Sequence, residues 1–190
     1  MIQIKFPDDS KRSFESGITV LEVAKNISEG LARNVLSAKF NEQIVEASTP
    51  LFEDGQIQLF TWNDDQGKNA FWHSSAHILA QAVQKASSAW GLKLCAKDPS
   101  LYSNTVTAIM VPEGIDSTDV VKTAYNKYNT SFGGGLNKVA GKLFRIGHLG
   151  DLNSTMILGA ISTAELAMYD VGIKFELGSG VAAAIKHLKA

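Results

Sequence analysis

Residues 69–91 read NAFWHSSAHILAQAVQKASSAWG, and this stretch decides how the rest of the chain is organised. Its apolar residues recur at alternating intervals of four and three, which places them on one stripe of an α-helix. The stripe consists of Trp72, Ala76, Leu79, Val83, Ala86 and Trp90. Asn69 is a suitable N-cap, and Gly91 stands where a helix often ends in a left-handed residue. The stretch therefore predicts one unbroken helix between two regions of different kind.

The composition is that of an ordinary folded protein and not of a disordered chain. The 190 residues are 45% hydrophobic and 19% charged, with a net charge of −1, and this length allows one or two domains with real cores. Residues 1–70 carry seven basic against eleven acidic side chains, whereas residues 71–190 carry eleven against eight. Neither region is basic enough to indicate nucleic-acid binding by charge alone.

Cysteine usage and hydropathy indicate where the protein works. The single cysteine, Cys95, excludes an internal disulfide framework and fits a reducing compartment. Met1 leads directly into an alternating strand pattern, so we expect no signal peptide. No apolar run approaches the ~20 residues that a membrane-spanning helix needs. We expect a cytoplasmic protein without a membrane partner.

Residues 1–62 predict a β-grasp domain, in which a small sheet packs on one helix. The predicted strands lie at 2–6, 11–15, 38–40, 43–45 and 56–60. Apolar and polar residues alternate in these segments with the two-residue period of a strand. The first two strands flank a turn at 7–10, so they can pair as a hairpin with Phe14 turned inward.

The helix of this domain has a clear start. Thr19 and Glu22 have the spacing of a capping box, in which each side chain accepts a hydrogen bond from the other residue's backbone. The predicted buried face of the helix consists of Val20, Val23, Ala24 and Ile27.

These residues resemble a known family. IKFPDDSKRSFESGITVLEVAKNIS and AKFNEQIVEASTPLFEDGQIQLF, followed by FWHSSAHILAQAV, resemble the N-terminal part of bacterial threonyl-tRNA synthetase: its TGS domain and the first helix of its editing domain. The resemblance covers about residues 1–83. In that family the HxxxH segment, here His73 and His77, begins a domain that hydrolyses mischarged seryl-tRNA. The resemblance therefore implies an editing motif and weak tRNA contact through the N-terminal part.

The chemistry of His73 and His77 has two interpretations. Two imidazoles four residues apart on a helix can share a divalent metal, but a site needs a third or fourth ligand. The editing site of that family takes a further cysteine and histidine from a downstream segment, and no segment here matches it. Cys95 and His148 are the right residue types but do not stand in the family's motif. Alternatively, His73 and His77 are structural groups beside the apolar stripe. We predict an incomplete motif, no metal and no catalytic residue.

Residues 92–190 predict a sheet covered by helices, an α/β sandwich. The predicted strands lie at 92–96, 105–111 and 142–146, and the β-branched run at 105–111 predicts a central strand. The predicted helices begin at Asp116 or Ser117, at Asn153 or Ser154, and at Val181. The fold class is therefore α+β, with a β-grasp domain at 1–62, a linker and shared helix at 63–91, and the sandwich at 92–190.

This region resembles a second family. WGLKLCAKDPSLYSNTVTAIMVPEGID, SFGGGLNKVAGKLFRIGHLGDLN and VGIKFELGSGVAAAIKHL are similar to the C-terminal small domain of serine–glyoxylate aminotransferase, from about residue 89 to the end. In that family an arginine at the place of Arg145 holds the substrate carboxylate, a role that suits the rigid, bidentate guanidinium. The alternative is a strand-end arginine that pairs with Asp151. Both interpretations stay open on the sequence.

The family's cofactor, pyridoxal phosphate, depends on residues outside this similarity. A large domain supplies the lysine that binds it and most phosphate contacts, and Lys138 and Lys142 do not occupy that motif. Gly133–Gly135 lacks both the P-loop ending and the Rossmann spacing, so close backbone packing is favoured over a phosphate cradle. We predict no cofactor.

The two resemblances meet within one helical stretch, and neither supplies a complete active site. The sequence predicts a non-catalytic engineered or recombined fusion of two enzyme fragments, with at most remnant RNA or carboxylate binding. The alternative is a natural fragment that keeps a synthetase-like role in tRNA binding or editing, or an aminotransferase-like role with pyridoxal phosphate. Former interdomain surfaces would be exposed in either case, so we also expect self-association.

Overall fold

The computed structural model describes residues 1–190 and divides into two compact units, residues 1–73 and residues 74–190. The boundary between the units falls inside the longest helix of the chain. The three-part division at residues 62 and 91 stays a prediction. No helix combines the length and the apolar character that crossing a bilayer requires.

The first unit is built on a five-stranded sheet. The unit has seven strands, five of which form this sheet. They are β1 (Ile2–Lys5), β2 (Lys11–Phe14), β3 (Ile18–Thr19), β4 (Ser37–Phe40), β5 (Gln43–Glu46), β6 (Pro50–Leu51) and β7 (Gly55–Phe60). The sheet order is β2-β1-β7-β4-β5, with β1 parallel to β7 and the other neighbours antiparallel. β3 and β6 form a separate antiparallel pair that the sequence did not predict. Phe14 is buried opposite Ile2, as expected for the hairpin.

Two short helices, α1 (Val20–Ile27) and α2 (Glu29–Asn34), complete this unit. The predicted capping box at the start of α1 is confirmed, because both reciprocal hydrogen bonds between Thr19 and Glu22 form. Val20 and Val23 pack in a core with the sheet. Ile27 was wrongly placed on the buried face: it is 38% exposed, because α1 ends there and Ser28 turns the chain to cap α2.

The long helix α3 runs from Asp65 to Ala89. Asn69 is therefore inside α3 and does not cap it. A turn at residues 61–64 precedes the helix, where the Asp64 carboxylate accepts hydrogen bonds from the backbone and hydroxyl of Thr61. A Cβ atom at Gly67 would overlap the Thr61 carbonyl, so the close approach of this turn requires glycine. Gly91 follows α3 with φ +71°, as predicted for the helix end.

The predicted apolar stripe is the buried face of α3. Its members Ala76, Leu79, Val83, Ala86 and Trp90 are buried, and Trp72 is half-buried. From Leu79 onward the stripe belongs to the core of the second unit.

The second unit contains a three-stranded antiparallel sheet. Its strands are β8 (Val106–Met110), β9 (Gly133–Gly134) and β10 (Leu143–Gly147), in the order β8-β10-β9. The expectation that the run at 105–111 is the central strand is wrong, because β10 occupies the centre. The strand expected at 92–96 is also wrong: only Leu94 forms a bridge, with Ile109 on the outer edge of β8. The β-branched residues at 105–111 indicate a partly buried strand, but they do not show whether that strand lies at the centre or at the edge of the sheet.

Three helices cover the sheet: α4 (Ser117–Tyr128), α5 (Ser154–Asp170) and α6 (Ser179–Leu188). Asp116 and Asn153 are the N-caps of α4 and α5, within the predicted alternatives. α6 begins two residues before the predicted Val181. Together the two units confirm the α+β fold class, with a β-grasp domain and an α/β sandwich.

Candidate functional site

Arg145 lies in the middle of β10, on the face of the sheet that turns away from the helical core. Its neighbours along the strand, Phe144 and Ile146, are buried in that core, whereas Arg145 is half-buried. Successive residues of a strand point to opposite faces. Its cross-strand partners are Ala108 on β8 and Gly133 on β9.

The guanidinium of Arg145 has no protein anion beside it. Its Nε atom is buried without a hydrogen-bond partner, and no ion pair joins it to Asp151, so the alternative pairing does not form. A Cβ atom at Gly133 would lie 3.0 Å from this Nε atom. A Cβ atom at Gly135 would overlap the carbonyl of Val139. The glycines therefore serve close packing, as expected, and Gly133 packs directly against the Arg145 side chain.

His73 and His77 lie on successive turns of α3, as the spacing predicted. His73 is exposed and His77 is half-buried. Upstream of them, the Trp62 ring makes edge contacts with Phe71 and Trp72, at centroid distances of 5.1 and 6.3 Å. Nowhere in residues 1–190 do three or more His, Cys, Asp or Glu side chains come together in a way that could hold a metal ion.

His148 is a core residue and not part of an editing motif. It is fully buried after β10, and its Nε2 atom lies 2.9 Å from the Thr107 hydroxyl. Burial lowers the pKa of the His148 imidazole below its usual value, because desolvation disfavours the charged form. Cys95 is an exposed free thiol. Neither His148 nor Cys95 belongs to a group of three or more His, Cys, Asp or Glu side chains that could hold a metal ion.

The buried carboxylate of Glu165 on α5 connects three elements, and sequence reasoning missed it. Glu165 is 3% exposed. Its Oε1 atom accepts hydrogen bonds from Trp90 Nε1 and the Gly180 backbone, both at 2.8 Å, and Oε2 accepts one from the Gly178 backbone at 2.7 Å. The carboxylate thus binds the N-terminal end of α6 and the end of α3. Its partners are far away in sequence, so no local pattern could have identified it.

The fold and these sites define a class: a β-grasp domain followed by an α/β sandwich with a half-buried sheet arginine, with the unit boundary inside one helix. Residues 2–61 match the TGS domain family. Threonine–tRNA ligase of Flavobacterium johnsoniae is 58% identical over 85 residues, which are 45% of this chain and 13% of that protein. This similarity belongs to the N-terminal part.

The rest of the chain matches a different enzyme. Serine–glyoxylate aminotransferase of Hyphomicrobium methylovorum is 62% identical over 109 residues, which are 57% of this chain and 27% of that protein. The crystal structure of pyridoxamine–pyruvate aminotransferase from Mesorhizobium loti aligns with a TM-score of 0.60 at 28% identity, covering 65% of this chain and 31% of that one.

The chain is therefore a fusion of two segments, each similar to a minor part of an enzyme. The two matched lengths together slightly exceed the 190 residues of the chain. The two similarities therefore meet or overlap, as the sequence predicted. Sequence reasoning identified both families because their motifs are continuous in sequence.

Proposed function

We propose that these 190 residues form a non-catalytic, recombined or engineered fusion. The observation that carries this proposal is how little of each enzyme the chain matches. The HxxxH segment itself, His73 and His77 on α3, supplies two ligand-type residues. A tight zinc site requires three or four ligands. The matched segments cover only 13% and 27% of the two enzymes.

A remnant of substrate recognition remains at Arg145. The guanidinium of Arg145, with which no protein carboxylate forms an ion pair, supports weak binding of a small carboxylate on this face of the sheet. Because Arg145 is half-buried and no acidic residue pairs with it, a carboxylate would meet a partly desolvated cation. Binding should be weak, since a single arginine supplies it.

The test of the non-catalytic proposal uses two activities and two reference enzymes. Purified chain should contain no stoichiometric zinc and should not deacylate seryl-tRNA, whereas an intact threonine–tRNA ligase does so under the same conditions. Chain supplied with pyridoxal phosphate should not transaminate serine with glyoxylate, whereas an intact serine–glyoxylate aminotransferase does so under the same conditions. One zinc per chain that disappears in His73→Ala, or turnover in either assay, would contradict the proposal and favour a natural enzyme fragment.

Two further roles belong to the same proposal. Exposed large apolar side chains in the second unit support self-association, among them Tyr125, Leu136, Leu149, Met156 and Tyr169. Sedimentation velocity over a hundredfold range of concentration measures this, and a constant monomer would exclude it.

Weak tRNA contact through the N-terminal part is measured by gel shift, with residues 74–190 deleted as a comparison. We place the protein in a reducing compartment, which keeps the exposed Cys95 as a thiol.

A further inference from the structure

Two cavities adjoin each other in the second unit, between the end of α3 and the outer edge of β8. One has a volume of about 250 Å³ and the other of about 510 Å³. Both are lined entirely by residues within 84–108. Arg145 lines neither cavity, so they are separate from the sheet arginine described above.

The smaller cavity is mainly apolar. Its lining includes Leu94, Ala96, Leu101, Val106 and Ala108. An apolar cavity of roughly 150 Å³ in a protein core holds a benzene molecule, so a space of about 250 Å³ can accommodate a larger aromatic body. The cavity therefore fits the apolar part of a small molecule.

The larger cavity is positively charged. Lys85, Lys93 and Lys97 line it, and none of its lining residues is acidic. None of these three lysines forms an ion pair with a carboxylate elsewhere in residues 1–190. An ammonium group is a compact charge that commonly binds phosphate. Three of them around one space favour a dianion over a monoanion.

Backbone hydrogen bonds attach the segment that carries Lys93 to the edge of β8. The Lys93 carbonyl accepts a hydrogen bond from the Met110 backbone at 2.8 Å, and the Cys95 N–H donates to the Ala108 carbonyl at 2.9 Å. Lys93 and Lys97 thus extend from a segment attached to the edge of β8, while Lys85 extends from the last turns of α3.

The cavities share one wall, formed by Gln84, Leu94, Ala96 and Tyr102. A single molecule can therefore place a ring in the apolar cavity and a charged group among the lysines. We propose that residues 84–108 form a binding site for a small aromatic phosphate ester. Tyr102 and Gln84 line both cavities, so their side chains can contact the ring and the phosphate of such a ligand.

The first test compares one probe with its two halves. Isothermal titration with 1-naphthyl phosphate should give an affinity at least about tenfold higher than that of 1-naphthol or inorganic phosphate alone, a difference of about 1.4 kcal/mol. Linking two fragments that bind adjacent spaces should have this effect. If 1-naphthyl phosphate binds no better than its stronger half, the two cavities do not act as one site.

The second test uses the only cysteine as a reporter. Cys95 lines the apolar cavity and is exposed, so neutral iodoacetamide should alkylate it. Saturating 1-naphthyl phosphate should slow this reaction at least about fivefold, because a bound ring limits access to the thiol. An unchanged rate at saturation would show that the probe binds elsewhere, and would overturn the proposal.

Matched lysine variants separate a specific site from general attraction. K93Q/K97Q should lower the affinity for 1-naphthyl phosphate about tenfold and leave 1-naphthol binding unchanged. The control K186Q/K189Q removes the same charge from exposed positions on and after α6, which line neither cavity. Equal losses in both double variants would mean that net charge alone attracts the phosphate, and the proposal would fail.

Discussion

Replacing the buried carboxylate of Glu165 should cost the second unit much of its stability. Glu165→Ala leaves the Trp90 indole N–H and the Gly180 backbone N–H buried without an acceptor. Each unsatisfied buried donor costs about 1–3 kcal/mol. We expect a loss of about 4 kcal/mol in the free energy of unfolding.

Glu165→Gln should be milder and show which oxygen matters. The amide oxygen can keep the three Oε1 bonds, to Trp90, Gly180 and Val181. The amide nitrogen then faces the Gly178 N–H, which now bonds Oε2 at 2.7 Å. One bond to a charged acceptor, worth about 1.5–3 kcal/mol, is lost. Because Gly178 is exposed and water can reach its N–H, we expect a loss of about 2 kcal/mol.

Urea unfolding followed by far-UV circular dichroism and tryptophan fluorescence measures both changes. Glu176→Gln is the matched control, since Glu176 is exposed and the change should stay within about 0.5 kcal/mol. A loss of less than about 1 kcal/mol in Glu165→Ala would refute the reasoning, because the two buried donors, Trp90 Nε1 and the Gly180 N–H, would then not depend on this carboxylate.

Three further changes test the account at single residues. Because the pKa of His148 is lowered in the folded state, the unfolded chain binds a proton more readily just below pH 6.5. The free energy of unfolding should therefore fall as the pH drops from there, and it should fall less in His148→Gln. Urea midpoints at pH 5.5 and 7.5 measure both. Gly180→Ala should destabilise by several kcal/mol in thermal unfolding, because the new methyl group would overlap the Trp90 indole; a loss below about 1 kcal/mol would contradict this packing. Asn153→Ala removes the α5 cap, whose side chain accepts from Met156 N at 3.0 Å, and should cost about 1 kcal/mol in the same measurement; no change would show that water replaces the cap.

Sequence reasoning succeeded where the determining contacts are local. The capping box of Thr19 and Glu22 is complete within four residues, and both of its hydrogen bonds form. The α3 stripe was also predicted, because helix periodicity is visible in any window of this length. The start of α3 was not, since it depends on how closely the Thr61 carbonyl approaches Gly67.

The rest could not be predicted because its partners are distant in sequence. The bond between Glu165 and Trp90 spans 75 residues, and the contact between His148 and Thr107 spans 41. The alternation at residues 92–96 does place Leu94 and Ala96 inward, but a strand also needs a long partner edge, and only one bridge forms there. The candidate residue Arg145 was identified because its motif is continuous, whereas the lysine-lined cavity has no motif.

The central claim is that one helix serves both units of a fusion. Residue-by-residue amide hydrogen exchange along α3 tests it most directly. In a single helix from Asp65 to Ala89 each interior N–H bonds the carbonyl four residues before it. We therefore expect slow exchange from about residue 69 to residue 88, without a gap at the unit boundary between His73 and Ser74. Fast exchange confined to residues 72–78, between two protected ends, would show two helices joined by a break and would contradict the account.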